Sequence, residues 1–342
     1  MTLRAKEWLA VGLSAAALLL GVGVGSVWIP PGDVVGILGH KLFHTALPGG
    51  ITDISVNILW KLRMPRALLA FLVGAGLSAS GAVMQSVLKN PLASSYTLGV
   101  SSGASLGAAL VIFLGISLPG LSLFTLPVMG FVFGLGTILL AMAVASRLDG
   151  RMENNTVILI GIVFSLFTNA VTMLMSALAK EQMQQLIFWQ MGSFSMKDWS
   201  AVLILAPITM TGIVLMVRCH RELDMMTFGE EQAQSMGVPL KRMKWFMLIL
   251  TAALTGSAVA FAGIIGFVDL IAPHVARKLF GSSHRRMVPM AAMIGGLFMV
   301  LCDLLARTVL SPQELPVGVV TALIGGPFFA YVYFRRRTGR SA

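Results

Sequence analysis

Runs of apolar residues, each closed by a short polar or basic turn, recur from one end of the chain to the other. A hydrocarbon core about 30 Å thick takes roughly 20 residues of helix per crossing. The pattern therefore predicts an all-α polytopic membrane protein. About ten transmembrane helices are expected, at 8–28, 66–86, 97–115, 124–146, 156–178, 200–217, 245–262, 266–280, 289–306 and 317–334, the eighth shorter than most. Breakers mark the returns: Pro30, Pro31, Pro48, Gly49 and Gly50 in a long outer segment with an amphipathic helix at 32–46, then Lys89-Asn90-Pro91, then Pro119-Gly120. A polar turn covers 147–155, the outer stretch 180–199 has room for a short helix at the mouth, and 218–244 is the longest cytoplasmic segment. One transmembrane domain, 1–342, contains them all.

Composition agrees: 56% of the 342 residues are hydrophobic and 11% charged, against about 25% charged in soluble domains. The net charge of +11 raises nucleic acid as a partner, but its distribution argues against one. With a cytoplasmic N-terminus, 18 of the 25 Lys and Arg fall in cytoplasmic segments, leaving Lys41, Lys61, Arg63, Arg66, Lys180, Lys197 and Arg307 outside. That is the positive-inside bias. The basic tail, Arg335, Arg336, Arg337 and Arg340, and the even span count put both termini in the cytoplasm. The first apolar run, Leu9 to Val27, exceeds the core of a signal peptide and reads as a retained span.

Candidate chemistry is sparse. No Gly-x-x-x-x-Gly-Lys-Ser/Thr exists, and Gly74-Ala-Gly76-Leu-Ser-Ala79 lies in an apolar span without the strand a dinucleotide site needs. No paired carboxylates or nucleophile triad stand out, Cys219 and Cys302 are far apart, and no cofactor or metal is expected. His40 and His44, at i and i+4, would share a helix face but have no third ligand and read as solvated. Gly99, Gly103 and Gly107 put small residues on one face of the third span, where another backbone can approach. Ionisable groups inside spans are costly: Asp269 and His274 in the eighth span are possible pathway or structural polar groups, and Asp303 and Arg307 are spaced to pair. Segment 218–244 mixes Met225, Met226, Phe228 and Met236 with Glu222, Glu230 and Glu231, and Gly229 separates two short helices. A Met- and Phe-bearing knob suits a groove on a soluble partner, and its acidic residues disfavour lipid headgroups.

The chain resembles the FecCD permeases, the membrane subunits of type II ABC importers. The resemblance runs from about residue 55 to 334 through Arg63-Met-Pro-Arg66-Ala-Leu, Gly81-Ala-Val-Met-Gln85, Asn90-Pro-Leu-Ala93 and Tyr96-Thr-Leu-Gly-Val-Ser-Ser-Gly103. It continues through Trp189-Gln-Met-Gly-Ser193, Ala272-Pro-His274-Val-Ala-Arg277, Asp303-Leu-Leu-Ala-Arg307 and Glu314-Leu-Pro-Val-Gly318. It implies the type II permease fold in a bacterial plasma (inner) membrane, and no enzyme activity in this chain. A second permease copy, identical or related, would enclose the pathway with it. An ABC ATPase dimer would bind below, and an extracytoplasmic binding protein would dock above. By position, Arg63, Arg66 and Arg307 match the docking arginines, and Asn90 and Leu92 a cytoplasmic gate, with Asn154, Asn155 and Thr156 near a second gate. Met225, Met226, Phe228, Gly229, Glu230, Glu231 and Met236 fall in the ATPase-coupling segment. Span five, the outer segment after it and part of span ten would line the pathway. The implied cargo is an iron–siderophore, haem or cobalamin-like chelate. One departure stands out: Gly266-Phe-Val-Asp269 replaces the usual glycine at 269, which puts local packing in question.

The main rival is a secondary transporter driven by an ion gradient, with Asp269 and Asp303 as its only candidate ion ligands. An intramembrane enzyme would need a catalytic constellation that the chain lacks.

Overall fold

A computed structural model describes residues 2–25, 29–150 and 152–338, with 333–338 as backbone alone. Arg151, Arg340, the end of the first predicted span at 26–28, and the side chains of Arg335, Arg336 and Arg337 lie outside the described residues. The fold is helical, without a strand among the described residues. Helix α1 (Leu3–Gly23) leads to α2 (Pro31–Phe43) and α3 (Asp53–Asn57); a π-turn at Ile58–Arg63 then runs into α4 (Met64–Val87). Next come α5 (Val100–Leu114), α6 (Thr125–Leu148), α7 (Asn154–Leu178), α8 (Met183–Gln190) and α9 (Trp199–Arg218). The short α10 (His220–Phe228) and α11 (Glu230–Ser235) precede α12 (Leu240–Ala262), α13 (Val268–Phe280), α14 (His284–Thr308) and α15 (Val317–Thr338).

Seven stretches among the described residues are long and apolar enough to cross a membrane, not ten. Two further apolar helices, α5 and the described part of α15, are shorter. α13 has only 13 residues and carries Asp269, His274, Arg277 and Lys278. The second predicted span also changes. Its helical run extends back to Asp53 as 35 residues, so Lys61 and Arg63 lie on a helix rather than in a loop, and Arg66, expected at the start of the span, lies inside it. A π-turn adds a residue to one helical turn and shifts the face presented afterwards.

α4 is the central element, in contact with α9, α12, α13 and α14. One buried cluster gathers Met84, Val87, Met142, Met216 and Met247 towards the α10–α11 end, and another gathers Leu69, Leu77, Phe194, Leu205 and Val300 towards the opposite end. The glycine stripe does what its spacing predicts: a Cβ at Gly103 would come within 2.5 Å of the Phe133 carbonyl oxygen, and one at Gly107 would overlap that of Met129. α5 and α6 therefore meet backbone to backbone, where dispersion and close packing replace the hydrophobic effect.

The predicted outer helix at 32–46 is α2, started by Pro31 at its first turn and ended by His44 in the left-handed conformation at φ 55°. His44 is thus past the helix end, and His40 Nδ1 lies 2.7 Å from the Thr45 carbonyl, so the two imidazoles do not form the expected helix-face pair. No group of three His, Cys, Asp or Glu among the described residues is placed to hold a metal. The short helix expected at 180–199 is α8.

Candidate functional site

At one end of the bundle the three singled-out arginines line a cavity of about 580 Å³, together with Phe194, Lys197 and Glu314. Arg63 and Arg66 are i, i+3 on one helix and share a face. Arg66 is clamped on both sides. Its Nε donates to both carboxylate oxygens of Asp303 at 3.0 and 3.1 Å, and its Nη1 donates to both oxygens of Glu314 at 2.8 and 3.0 Å. Such forked contacts are among the stronger charge-assisted bonds. The Asp303 side chain is 2% exposed and that of Glu314 40%. Burial works to raise the Glu314 carboxyl, but the Arg66 guanidinium outweighs it and holds Glu314 below the usual carboxylate range.

Arg307 pairs with Asp303 at 3.7 Å, the expected i, i+4 partner, yet Asp303 is bonded more closely to Arg66. Arg307 also donates to the Gly21 carbonyl, and Arg63 donates to that of Gly23 at 2.8 Å. Both side chains are buried at the edge of the cavity rather than spread on its surface. Lys197, on the same cavity, has its ammonium pushed below the ordinary lysine range by burial, partly offset by Asp198. Two neutralising carboxylates against four cations leave the cavity positive.

At the opposite end, Gly229 at φ 146° separates α10 from α11, as the sequence predicts. Any side chain there would be strained, and a Cβ would run into Gln232. The knob differs from expectation in which residues it shows. Met226 is a core residue at 1% exposure and Met225 is half-buried, whereas Phe228 is 74% and Met236 49% exposed. Glu231 is exposed, but Glu230 is held by Lys244, whose fully buried ammonium donates to its Oε1 at 2.8 Å and to the Met152 carbonyl at 2.8 Å. A cavity of about 770 Å³ beside α11 is lined by Glu153, Glu230, Glu231, Lys241 and Arg242. α10 is pinned by Asp224, whose carboxylate accepts from the backbone N–H of His284. A two-helix knob thus stands on buried ionic anchors with two large apolar side chains in the open.

Between α4 and α5, Asn90 Oδ1 accepts from the Leu92 N–H at 2.9 Å, and Leu92 is 59% exposed. Asn154 is half-buried with Oδ1 unpartnered, while Asn155 is exposed and Thr156 half-buried at the start of α7. Asp269 is buried and accepts from Ser94 Oγ. Its backbone resolves the packing question: a Cβ at Gly81 would overlap the Asp269 carbonyl, which also accepts from Gln85 Nε2 at 3.3 Å. Close approach is thus supplied by Gly81 on α4, and the Asp269 side chain points elsewhere. His274 stacks edge-on to Phe328 of α15 at 6.2 Å between ring centroids.

Sequence reasoning assigned no role to Glu314, Ser94, Lys244, Asp224 or His284. Glu314 stands in a motif quoted for the resemblance, and the others gain partners only through tertiary contact.

The FecCD transport family matches residues 13–335. The uncharacterized ABC transporter permease protein YvrB of Bacillus subtilis is 42% identical over 96% of this chain and 93% of its own. The hemin transport system permease protein HmuU of Yersinia pestis is 35% identical over 87% of this chain and 90% of its own. Among solved structures, a metal-chelate type ABC transporter in an inward-facing conformation superposes with a TM-score of 0.84 at 28% identity, covering 97% of this chain and 99% of that one. A helical bundle with several membrane-length spans, matched in fold and sequence over nearly all its length, places the chain in the FecCD transport family as a multi-pass ABC transporter permease.

Proposed function

We propose that the chain is the membrane-spanning subunit of an importer energised by separate ATPase subunits, moving an iron–siderophore, haem or cobalamin-like chelate inward. The observation that carries this is the α10–α11 knob. Phe228 and Met236 are exposed, while Glu230, Lys244 and Asp224 tie the knob's base into the bundle. A rigid apolar projection can transmit force only if a soluble partner grips it. In this reading the knob end is cytoplasmic, both termini lie on that side, and the chain crosses ten times by counting α5, α13 and α15.

A second copy, or a related chain, completes the pathway. α7 supports this: Asn155, Leu159, Ile162, Leu166, Asn169 and Met173 fall on one helical stripe and all are exposed. An amide at mid-helix is poorly suited to lipid and suits a water-filled passage or a partner. At the far end, Arg63, Arg66 and Arg307 line the positive cavity where the carboxylates of a binding protein would dock, Glu314 giving way as they enter. The rival ion-driven transporter gains nothing from its two carboxylates, since Asp303 is clamped by Arg66 and Asp269 is bonded to Ser94.

The test is ATP hydrolysis in proteoliposomes holding the permease and the ATPase encoded beside it. F228A/M236A is expected to abolish permease-dependent stimulation while the bundle stays folded. Uptake that persists without ATP and collapses with the ion gradient overturns the reading.

A further inference from the structure

The Asp269 carboxylate is 2% exposed and sits in the first turn of α13, where the helix N-terminus favours negative charge. Its Oδ2 accepts from Ser94 Oγ, and its Oδ1 is buried with no hydrogen-bond partner. Ser94 lies in the connection between α4 and α5, and its Oγ also accepts the Tyr96 N–H at 3.1 Å. Tyr96 in turn donates its hydroxyl to the Ile265 carbonyl at 2.9 Å, in the link between α12 and α13. The 88–99 connection is therefore fastened to α13 and its entry at two points, Ser94 to Asp269 and Tyr96 to Ile265. A glycine at 269, the residue the family resemblance leads one to expect, would remove the first and leave the second.

The entry to α13 is itself under tension. Phe267 has φ 70°, a conformation that bulky side chains rarely adopt. Its ring packs against Phe329 of α15 at 6.4 Å between centroids. Strained residues of this kind cluster at clamps and switch regions, and here one directly precedes α13 with a buried polar bond two residues later.

We propose that Asp269 is a latch: through Ser94 it holds the Asn90–Thr97 loop closed against α13, and release of this bond accompanies opening of the gate. Asp269 is a positioning residue here and does not touch cargo. The inference rests on the reading of Asn90 and Leu92 as a gate.

The test is leak of calcein from proteoliposomes containing the permease with its ATPase, without nucleotide. D269G and S94A are each expected to raise the leak several-fold, and S94A/D269G no further than S94A alone, since both remove the Ser94–Asp269 bond and S94A additionally takes the acceptor from the Tyr96 N–H. D269N, which can still bond Ser94, is expected to stay near wild type. L92A reports on the gate itself and is expected to leak. Leak from L92A with none from S94A or D269G overturns the latch and leaves the gate standing. No leak from L92A overturns the gate reading and the latch with it. Additive leak in the double variant shows two separate roles and also overturns the latch. S94A, a small change, guards against loss of fold in D269G.

Discussion

Asp224 and His284, 60 residues apart, are joined twice: Asp224 Oδ1 accepts the His284 backbone N–H at 2.9 Å and faces its ring Nδ1 at 2.5 Å. Asp224 Oδ2 adds a third bond, from Ser283 Oγ at 3.1 Å. A carboxylate from α10 thereby caps the N-terminus of α14, satisfying an otherwise orphaned amide and complementing the helix dipole. D224A should cost about 1–2 kcal/mol, the scale of a lost helix cap, and D224N less, because its amide oxygen can still accept. Thermal unfolding in detergent checks both.

The same contact sets a pH dependence. Burial works to raise the Asp224 carboxyl, but the bonds from His284 and Ser283 outweigh it and hold its pKa below the ordinary value. A depressed folded pKa means stabilisation fully present above the unfolded value of about 3.9 and lost as pH falls through the lower folded one. Wild-type unfolding temperature should fall more steeply than that of D224N below about pH 4. Parallel profiles would show that the carboxylate contributes nothing.

Arg66 separates two kinds of carboxylate contact. Asp303 is buried, and R66A leaves it only the longer contact to Arg307 at 3.7 Å, so the change should cost up to about 3–5 kcal/mol, seen as loss of monodisperse protein. R66K keeps the charge but loses the fork and should fall between R66A and wild type. Glu314 is partly exposed, and E314Q should change stability by less than about 1 kcal/mol. In the proposed docking role, E314Q frees one side of Arg66 and should speed binding-protein association, with a steeper dependence on salt. Slower association would contradict Glu314 as the group displaced.

Much of this architecture is legible in the pattern of residues, and the gaps have physical causes. The α5 glycine stripe, the break at Gly229 and the short α8 all follow from local chemistry, which a linear reading can reach. The start of the second span does not. Lys61 and Arg63 look like loop residues, yet a guanidinium that bonds to the Gly23 carbonyl can lie on a helix. Met226 shows the converse: its methionine neighbours suggested a sticky face, but α10 turns it into the core and leaves Phe228 outside. The Asp269 bond was out of reach because Ser94 is 175 residues away.

Asn169 offers the sharpest test of where the pathway runs. It is exposed on the stripe of α7 with Leu166 at 65% and Met173 at 72%, so its amide has apolar neighbours along the helix. A primary amide facing hydrocarbon loses its hydrogen bonds to water, a cost of several kcal/mol, whereas the same amide facing a hydrated passage loses none. Leu203 on α9 is similarly open, at 69%, but its helix offers no exposed amide near it. In a background lacking Cys219 and Cys302, N169C should react with a charged, water-soluble maleimide, and L203C should not. Thiolate formation needs water, so the contrast reports solvation rather than exposure to probe size alone. Equal inertness at both positions would turn α7 towards lipid and remove it from the pathway; equal reactivity would place α9 beside water as well.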